Sequence, residues 1–248
     1  LKIMNKTSQY QFTIIVPIYN EEDNIATLEE KIGAYLTHCA YKACALFVND
    51  GSSDSSLAGI KEICQRNSNF YYLSFAQNRG LSAAIKAGID EAESTYVGYI
   101  DADLQTCPED FDLLLAHIEQ HTLVTGIRVN RKDSGFKKLQ SRIANGFRRW
   151  MAHDGMQDTG CPLKVMHTDA AKRIPFFTGM HRFLPALILL QEGGCVKQIP
   201  VRHYPRMAGV SKFHLWNRLI SPFLDCFAYR WMKKRYINYR INDQNILA

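Results

Sequence analysis

The chain has 248 residues, 46% of them hydrophobic and 22% charged, a composition that excludes a disordered protein and allows one large domain or two small ones. Its seven cysteines lack the paired spacing of metal ligands, which indicates free thiols in a reducing compartment. Residues 1–11 are polar and no run reaches the ~18 apolar residues of a membrane span, so we expect neither a signal peptide nor a spanning helix.

The net charge of +6 is divided unevenly along the chain. Residues 128–149 hold eight Lys or Arg and one acid, and residues 202–240 hold nine and one, so the rest of the chain carries −9. This division favours an acidic, metal-binding half and a basic half that meets an anionic partner. Solvated helix faces would account for part of the same pattern.

Strand and helix patterns alternate over the first 110 residues. The predicted strands cover residues 12–16, 43–49, 70–75 and 96–100, and the predicted helices cover residues 25–36, 57–63 and 81–89. We expect Pro17 to end the first strand. Short connections between alternating elements predict an α/β fold with a parallel, doubly wound sheet. The dinucleotide-binding and P-loop glycine patterns are absent, which argues against a dehydrogenase or a P-loop NTPase.

Two carboxylates one residue apart, Asp101 and Asp103, follow the fourth predicted strand. The carboxyl ends of strands are where open α/β sheets bind ligands. With the amide oxygen of Gln105 the two acids form an all-oxygen set that suits Mg²⁺ or Mn²⁺ already carrying phosphate oxygens. Taken alone, Asp-x-Asp is more often only a strand-to-helix turn.

Charged residues also follow the second and third predicted strands. Asp50 is placed either to accept hydrogen bonds from a base or ribose, or simply to cap the next helix. Arg79 precedes a helix N-terminus, where it would meet phosphate or pair on the surface.

The second half of the sequence predicts strands over residues 121–129 and 195–202 and a helix over residues 137–152. Residues 216–239 place apolar side chains at helical spacing between basic ones, and Pro222 should kink or divide this segment. A basic amphipathic helix with Trp and Phe can lie in a membrane interface. An ordinary helix that covers the sheet would show a similar pattern.

Four motifs, at residues 14–22, 48–54, 78–80 and 101–105, occur in the order and at the spacing of family 2 glycosyltransferases with the GT-A fold. The Asp-Ala-Asp-Leu-Gln run followed by Pro108 and Glu109 resembles the branch that includes dolichol-phosphate mannosyltransferase and the bacterial undecaprenyl-phosphate sugar transferases. The resemblance covers most of the chain. It implies a GT-A fold with a mostly parallel sheet flanked by helices and with C-terminal amphipathic helices.

The resemblance implies inverting transfer of a sugar from a nucleotide-diphosphate donor to a polyisoprenyl phosphate of the dolichyl or undecaprenyl type. It assigns Mg²⁺ or Mn²⁺ to Asp103 and Gln105, with Asp101 acting indirectly. The loop with Gly209 resembles the family's Arg-x-x-Gly-x-Ser-Lys loop, which closes over the diphosphate. The residues implied for the nucleotide-sugar are Pro17, Tyr19, Glu21, Asp50, Asp54, Arg79, Asp101, Arg206, Ser211 and Lys212.

On the acceptor side the resemblance implies that Arg128 and Arg142 position the acceptor phosphate. Asp158 opens the equivalent of the family's acceptor-site loop, although Pro162 replaces the expected aromatic residue. A phosphate is already ionised near pH 7 and has little need of a general base, whereas a sugar hydroxyl would need one, and Asp158 is the first candidate. The catalytic residues implied are therefore Asp103, Arg128 and Asp158.

The main alternative is a family 2 enzyme acting on a glycan hydroxyl in cell-surface polysaccharide, O-antigen or lipopolysaccharide synthesis. A processive synthase is disfavoured because Gly146 stands where Gln should precede Arg149 and Trp150. A nucleotidyltransferase would need an N-terminal Gly-rich, Arg-containing phosphate loop that the sequence lacks. The intact acidic cluster argues against a non-catalytic binding protein.

We expect a glycosyltransferase domain over residues 1–212 and a basic amphipathic helical segment over residues 213–248, packed on the domain or on a membrane surface. The expected partners are the nucleotide-sugar, the polyprenyl phosphate and either a membrane surface or a membrane protein, and not nucleic acid. We expect the protein to be cytoplasmic and peripheral on the cytoplasmic face of the membrane.

Overall fold

The computed structural model describes residues 5–129, 146–204 and 215–239, and its centre is a seven-stranded sheet in the order β3-β2-β1-β4-β6-β5-β7. The strands are β1 (Phe12–Ile18), β2 (Ala43–Asn49), β3 (Phe70–Ser74), β4 (Tyr96–Tyr99), β5 (Leu123–Arg128), β6 (Lys164–His167) and β7 (Val196–Val201). The helices are α1 (Ile25–His38), α2 (Ser56–Arg66), α3 (Leu81–Glu91), α4 (Phe111–Leu115), α5 (described over residues 146–152), α6 (Thr168–Lys172), α7 (Leu184–Ile188) and α8 (Leu215–Arg235).

The predicted α/β fold with a mostly parallel, doubly wound sheet is confirmed. Strands β1 to β4 run parallel, and β7 is parallel to β5. Strand β6 is antiparallel to both of its neighbours, β4 and β5. The carboxyl ends of the six parallel strands and the amino end of β6 therefore share one edge of the sheet.

Alternate side chains of the central strand β1 support two hydrophobic cores, one on each face of the sheet. Ile14 and Val16 lie in the core that includes Leu28 of α1, and Ile15 lies in the core that includes Ile85 of α3. All seven residues of β1 are buried. A continuous apolar run, rather than an alternating one, is what a parallel strand covered by helices on both faces requires.

The expectation that Pro17 ends the first strand is wrong, because β1 continues through it to Ile18. Ile15 O accepts a hydrogen bond from Ile100 N on the β4 side, and Ile18 O accepts one from Asp50 N on the β2 side. Backbone polar groups alternate sides along a strand, so the nitrogen of Pro17 faces the β4 side. At that level β4 has already ended, at Tyr99, and the N–H that proline lacks would have no strand partner there. No ladder hydrogen bond is lost there.

Helix α8 is one continuous helix from Leu215 to Arg235, so the expected division at Pro222 is not found. It packs on the sheet side that carries α7, where the ring of Tyr229 stacks on Phe183 at 5.3 Å between centroids. Within the described part of the chain, no helix is both long enough and apolar enough to cross a membrane.

Candidate active site

The edge shared by the strand ends holds most of the charged residues that the sequence singled out. Asp50 directly follows β2, Asp101 is the second residue after β4, and Arg128 is the last residue of β5. Strand β7 ends at the same edge one residue before Arg202. The sheet therefore brings together side chains that lie far apart in the sequence, as open α/β folds do at their ligand sites.

Asp101 and Asp103 form the acidic centre of this edge. Tyr99 donates its hydroxyl proton to Asp101 Oδ1, and the backbone N–H of Gln105 donates to Asp103 Oδ1 at 3.2 Å. Burial and the charge of Asp103 together raise the pKa of Asp101 to about 6, although the Tyr99 hydrogen bond opposes this shift. Two half-buried carboxylates that repel one another form a chemically suitable site for a divalent cation.

Protein side chains alone do not complete a metal site. Among residues 5–129, 146–204 and 215–239, no group of three or more His, Cys, Asp or Glu side chains is arranged to hold a metal ion. A cation at Asp101 and Asp103 would need the Gln105 amide and oxygens from a bound ligand. Mg²⁺ and Mn²⁺ accept such a mixed set, in which substrate phosphates supply several ligands.

The chain that leaves β7 is tied to the segment that follows the two acids. Gln105 O accepts hydrogen bonds from Tyr204 N at 2.9 Å and from His203 Nδ1 at 3.1 Å. The buried Asp110 carboxylate accepts from the backbone N–H of Arg202 at 2.7 Å and from its Nε at 2.8 Å. These four hydrogen bonds fix residues 202–204 beside the acidic centre.

Asp50 is buried and fully engaged by the start of α3. Its Oδ1 accepts from Arg79 N at 2.6 Å, and its Oδ2 accepts from Gly80 N at 2.8 Å and from Asn78 Nδ2 at 3.0 Å. Burial raises the pKa of Asp50, although the Arg79 and Gly80 hydrogen bonds oppose the rise. The carboxylate therefore orders the turn that precedes α3 and does not cap α2, the next helix in the chain, where Asp54 accepts from Ser56 N instead. A role toward the nucleoside stays a prediction.

The loops after β1 and β2 are also tied to each other. Asp54 caps α2 by accepting from Ser56 N at 2.9 Å, and it accepts from Glu22 N at 3.2 Å. Glu21 donates its N–H to Ser56 Oγ at 2.8 Å. Of the other residues that the resemblance assigns to the nucleotide-sugar, Pro17 is buried in β1, whereas Tyr19 and Arg79 are exposed. All of these residues lie at the carboxyl ends of β1, β2 and β3.

Arg128 and Asp158 form a bidentate ion pair. Nε donates to Oδ2 and Nη2 donates to Oδ1, each at 2.8 Å, and the backbone N–H of Arg128 donates to Oδ2 at 3.1 Å. Both side chains are largely buried. Burial pushes the pKa of Asp158 upward, but the Arg128 hydrogen bonds and charge more than offset it, so the pKa lies below its usual value.

Two features at this edge were missed by the sequence reasoning. Lys164 opens β6 and is buried, with its ammonium donating to Cys161 O. His181 lies 2.7 Å through Nδ1 from Ser82 Oγ, which also accepts from Gly179 N at 3.0 Å. A lysine inside the apolar run 161–166 was the available signal for the first, and no local pattern marked the second.

Five residues named from the sequence lie outside the described residues, namely Arg142, Arg206, Gly209, Ser211 and Lys212. The structure brings together Asp101, Asp103 and Arg128 with Asp158 on one side of the edge, and Asp50 with Arg79 on the other. The role of each residue stays a prediction.

Comparison with known proteins agrees with this architecture. A GT-A fold is shown by glucosyl-3-phosphoglycerate synthase from Mycobacterium tuberculosis, solved with Mn²⁺ and UDP-glucose. It matches with a TM-score of 0.66 and 14% sequence identity over 92% of this chain and 80% of that chain. At this identity the match establishes the fold alone.

The family is established by the sequence. Residues 13–178 match the model of glycosyl transferase family 2, and the chain belongs to that family. The suspected family resemblance is thereby confirmed.

Two curated relatives are more specific. Dodecaprenyl-phosphate galacturonate synthase of Rhizobium johnstonii is 30% identical over 87% of this chain and 65% of its own length. Undecaprenyl-phosphate 4-deoxy-4-formamido-L-arabinose transferase of Edwardsiella ictaluri is 32% identical over 89% of this chain and 67% of its own. The chain thus spans about two thirds of the length of these relatives.

Proposed function

We propose that this protein transfers a sugar from a nucleotide-diphosphate donor to a polyisoprenyl phosphate, with inversion at the anomeric carbon. Both curated relatives are named for sugar products or acceptors built on a polyprenyl phosphate. The observation that carries the choice of acceptor is the bidentate Arg128–Asp158 pair.

A general base must accept a proton, and Asp158 is poorly suited to that. Both of its carboxylate oxygens accept hydrogen bonds from Arg128, and its lowered pKa makes it a weaker base than a free carboxylate. An acceptor hydroxyl would need such a base, whereas an ionised phosphate does not. The pair therefore favours a phosphate acceptor, toward which Arg128, held by Asp158, would present its remaining N–H donors.

On the donor side, Asp101, Asp103 and Gln105 would hold Mg²⁺ or Mn²⁺ on the donor diphosphate. When bound, the cation would act as a Lewis acid that stabilises the leaving nucleoside diphosphate. Asp50 would accept from the nucleoside only by sharing or exchanging its bonds to the start of α3. The other donor-side residues assigned by resemblance are Pro17, Tyr19, Glu21, Asp54, Arg79, Arg206, Ser211 and Lys212, and the assigned acceptor-side partner of Arg128 is Arg142.

We also propose contact with a membrane surface through an exposed aromatic face, defined by Trp150 of α5 and Phe223, Phe227 and Trp231 of α8. Trp150 and Trp231 are each 61% exposed. Phe147 stacks on Phe223 at 4.8 Å, which joins the two helices. Exposed basic residues flank the face, namely Arg149, Arg230, Lys233, Lys234 and Arg235. Aromatic side chains bordered by cations suit the interface of an anionic membrane.

The proposed site of action is the cytoplasmic face of the membrane, where nucleotide sugars are made. The lipid phosphate would then be reached from the surface on which α5 and α8 lie. Residues 1–212 would form the catalytic domain and residues 213–248 its membrane-facing helical segment.

A two-phase transfer assay tests the function. Radiolabelled UDP- and GDP-sugars are offered with undecaprenyl or dolichyl phosphate and with Mg²⁺ or Mn²⁺. We expect label in the organic phase, lost in Asp103→Ala and on metal chelation, and retained in Asp169→Ala, which removes an exposed acid of α6. Donor turnover only when a glycan extract replaces the lipid would contradict the proposal and favour the hydroxyl-acceptor alternative.

A further inference from the structure

Lys164 is a charged side chain in a place where charge is costly. Only 1% of its surface is exposed, and lysine is almost never so buried unless it is paired. None of the ion pairs among the described residues includes Lys164, and its ammonium donates instead to Cys161 O. A leucine or methionine would fill the same space without the cost of burying a cation.

The position of Lys164 links it to the candidate active site. In the antiparallel pairing of β4 and β6 it lies opposite Tyr99, and its Nζ is 5.9 Å from the centre of the Tyr99 ring. Tyr99 is the residue that donates to Asp101. Lys164 therefore lies directly beneath the edge at which the strands present their charged residues.

The carbonyl that Lys164 holds belongs to the turn 158–161, which begins with the partner of Arg128. At the start of that turn Asp158 accepts hydrogen bonds from Arg128, and at its end Cys161 O accepts one from Lys164. The turn also packs closely on Arg128, since a Cβ added at Gly160 would lie 2.8 Å from Arg128 Nη2. The turn is thus fixed at its start by Arg128 and at its end by Lys164.

We propose that Lys164 is a positioning residue for the acceptor phosphate, acting through the turn 158–161 on Arg128. It does not contact the acceptor. Its hydrogen bond to Cys161 O keeps the turn, and with it Asp158, in the position where Asp158 orients Arg128 toward the acceptor phosphate. The inference rests on the proposed function for its catalytic consequence, but the ordering of the turn can be measured without any acceptor.

The test compares Lys164→Met, which keeps most of the length of the side chain and removes the donor, with Lys164→Arg and with the exposed control Lys172→Met. Lys164→Met should lower kcat/KM for polyprenyl phosphate by about tenfold to a hundredfold, as expected of a displaced binding group. Lys164→Arg should recover part of the loss. Binding of UDP or GDP with Mn²⁺ should change by far less than transfer, because Lys164 forms no hydrogen bond with the proposed nucleotide-sugar residues and acts on Asp101 only through its charge.

Hydrogen exchange gives the acceptor-independent readout. Amides of residues 157–163 should exchange about tenfold faster in Lys164→Met than in the wild type or Lys172→Met. If Lys164→Met does not fold, as judged by loss of a cooperative thermal unfolding transition, Lys164→Gln takes its place in both measurements.

Three outcomes decide the matter. Unchanged acceptor kinetics and exchange would overturn the role of Lys164. Parallel loss of nucleotide binding and transfer would overturn it too, because that result describes a general support of the core. A wild-type protein that makes no lipid product contradicts the proposed function, and the exchange comparison alone then judges whether Lys164 orders the turn.

Discussion

At the scale of single residues, the Arg128 guanidinium and the Asp158 carboxylate neutralise each other in a largely buried place. Such a pair adds little net stability over an apolar pair, but removal of one partner leaves an uncompensated buried charge that costs about 3–5 kcal/mol. We therefore interpret Asp158 as the group that fixes the orientation of the Arg128 guanidinium, so that the guanidinium can face a ligand.

The Asp158→Asn variant tests whether Asp158 orients Arg128 or acts as a general base. If Asp158 only holds Arg128, transfer to the lipid phosphate should fall while its pH–rate profile keeps its shape, and the free energy of unfolding should fall by about 3 kcal/mol. Denaturant unfolding and initial rates between pH 4 and pH 9 measure both, with Asp169→Asn as the exposed control. Loss of the acidic limb, the fall in rate as a base becomes protonated, with stability intact, would identify a base instead.

His181 predicts a dependence of stability on pH. Ser82 Oγ accepts from Gly179 N and lies 2.7 Å from His181 Nδ1, where a neutral imidazole can accept the Ser82 proton. Burial, assisted by the charges of Arg182 and Lys164, lowers the pKa of His181 to about 3. The neutral ring thus contributes stability that is present above the unfolded pKa and lost as pH falls below it.

Between pH 7 and pH 5 the unfolded His181 takes up a proton that the folded one refuses. The free energy of unfolding should therefore fall by about 2 kcal/mol more in the wild type than in His181→Gln. Urea unfolding at the two pH values gives the comparison. Parallel losses in both proteins would show that His181 titrates normally in the fold.

At the scale of elements, β4 depends on close contact with its neighbours. A Cβ added at Gly98 would lie 2.5 Å from the Phe12 ring and 2.9 Å from the Phe111 ring, whose centroids are 5.3 Å apart. The missing side chain lets a helix and two strands meet directly behind Asp101.

Gly98→Ala should consequently destabilise the fold by about 1–3 kcal/mol through overpacking. Gly146→Ala is the matched control, because a Cβ there meets nothing within 4 Å and alanine favours the helix. Thermal unfolding of the two variants measures the difference. Equal stability of both would mean that Phe12 and Phe111 can move aside at no cost.

Element-scale comparison also shows where sequence reasoning succeeds. The β-branched run of β1 and the acids after β4 were sufficient to place a parallel sheet with its ligand edge, because those signals are local. The end of β1 was predicted wrongly at Pro17, because the sequence around a proline does not show whether a neighbouring strand extends far enough to need its N–H. The burial of Lys164 was equally hidden, because it follows from the pairing of β6 with β4 across more than sixty residues.

The candidate site was foreseen in part. Arg128 and Asp158 were both singled out from the sequence, but their bidentate contact depends on a turn that returns 30 residues later. Asp50 was singled out correctly as a strand-end acid, whereas its three hydrogen bonds to residues 78–80 depend on the side-by-side placement of β2 and β3. Residue types can be foreseen locally, and their contacts cannot.

At the scale of the whole molecule, the aromatic face is far in sequence from Asp101 and Asp103, and it joins α8 to α5, which includes the end of the basic 128–149 segment. Trp150→Ala with Trp231→Ala should reduce binding to phosphatidylglycerol-containing vesicles by about tenfold, because both rings are exposed and bordered by cations. Vesicle sedimentation measures this. Tyr72→Ala with Leu113→Ala removes comparably exposed apolar side chains elsewhere, and an equal effect of this control would contradict a specific membrane face.

The central claim is that the acceptor is a phosphate, and the most direct measurement compares undecaprenyl phosphate with undecaprenol in the same two-phase assay. The two lipids differ only in the group that receives the sugar. We expect label transfer to the phosphate and none above background to the alcohol, since Asp158, held by Arg128, is a poor base. Comparable transfer to the alcohol would contradict it and make Asp158 the base of a hydroxyl-directed enzyme.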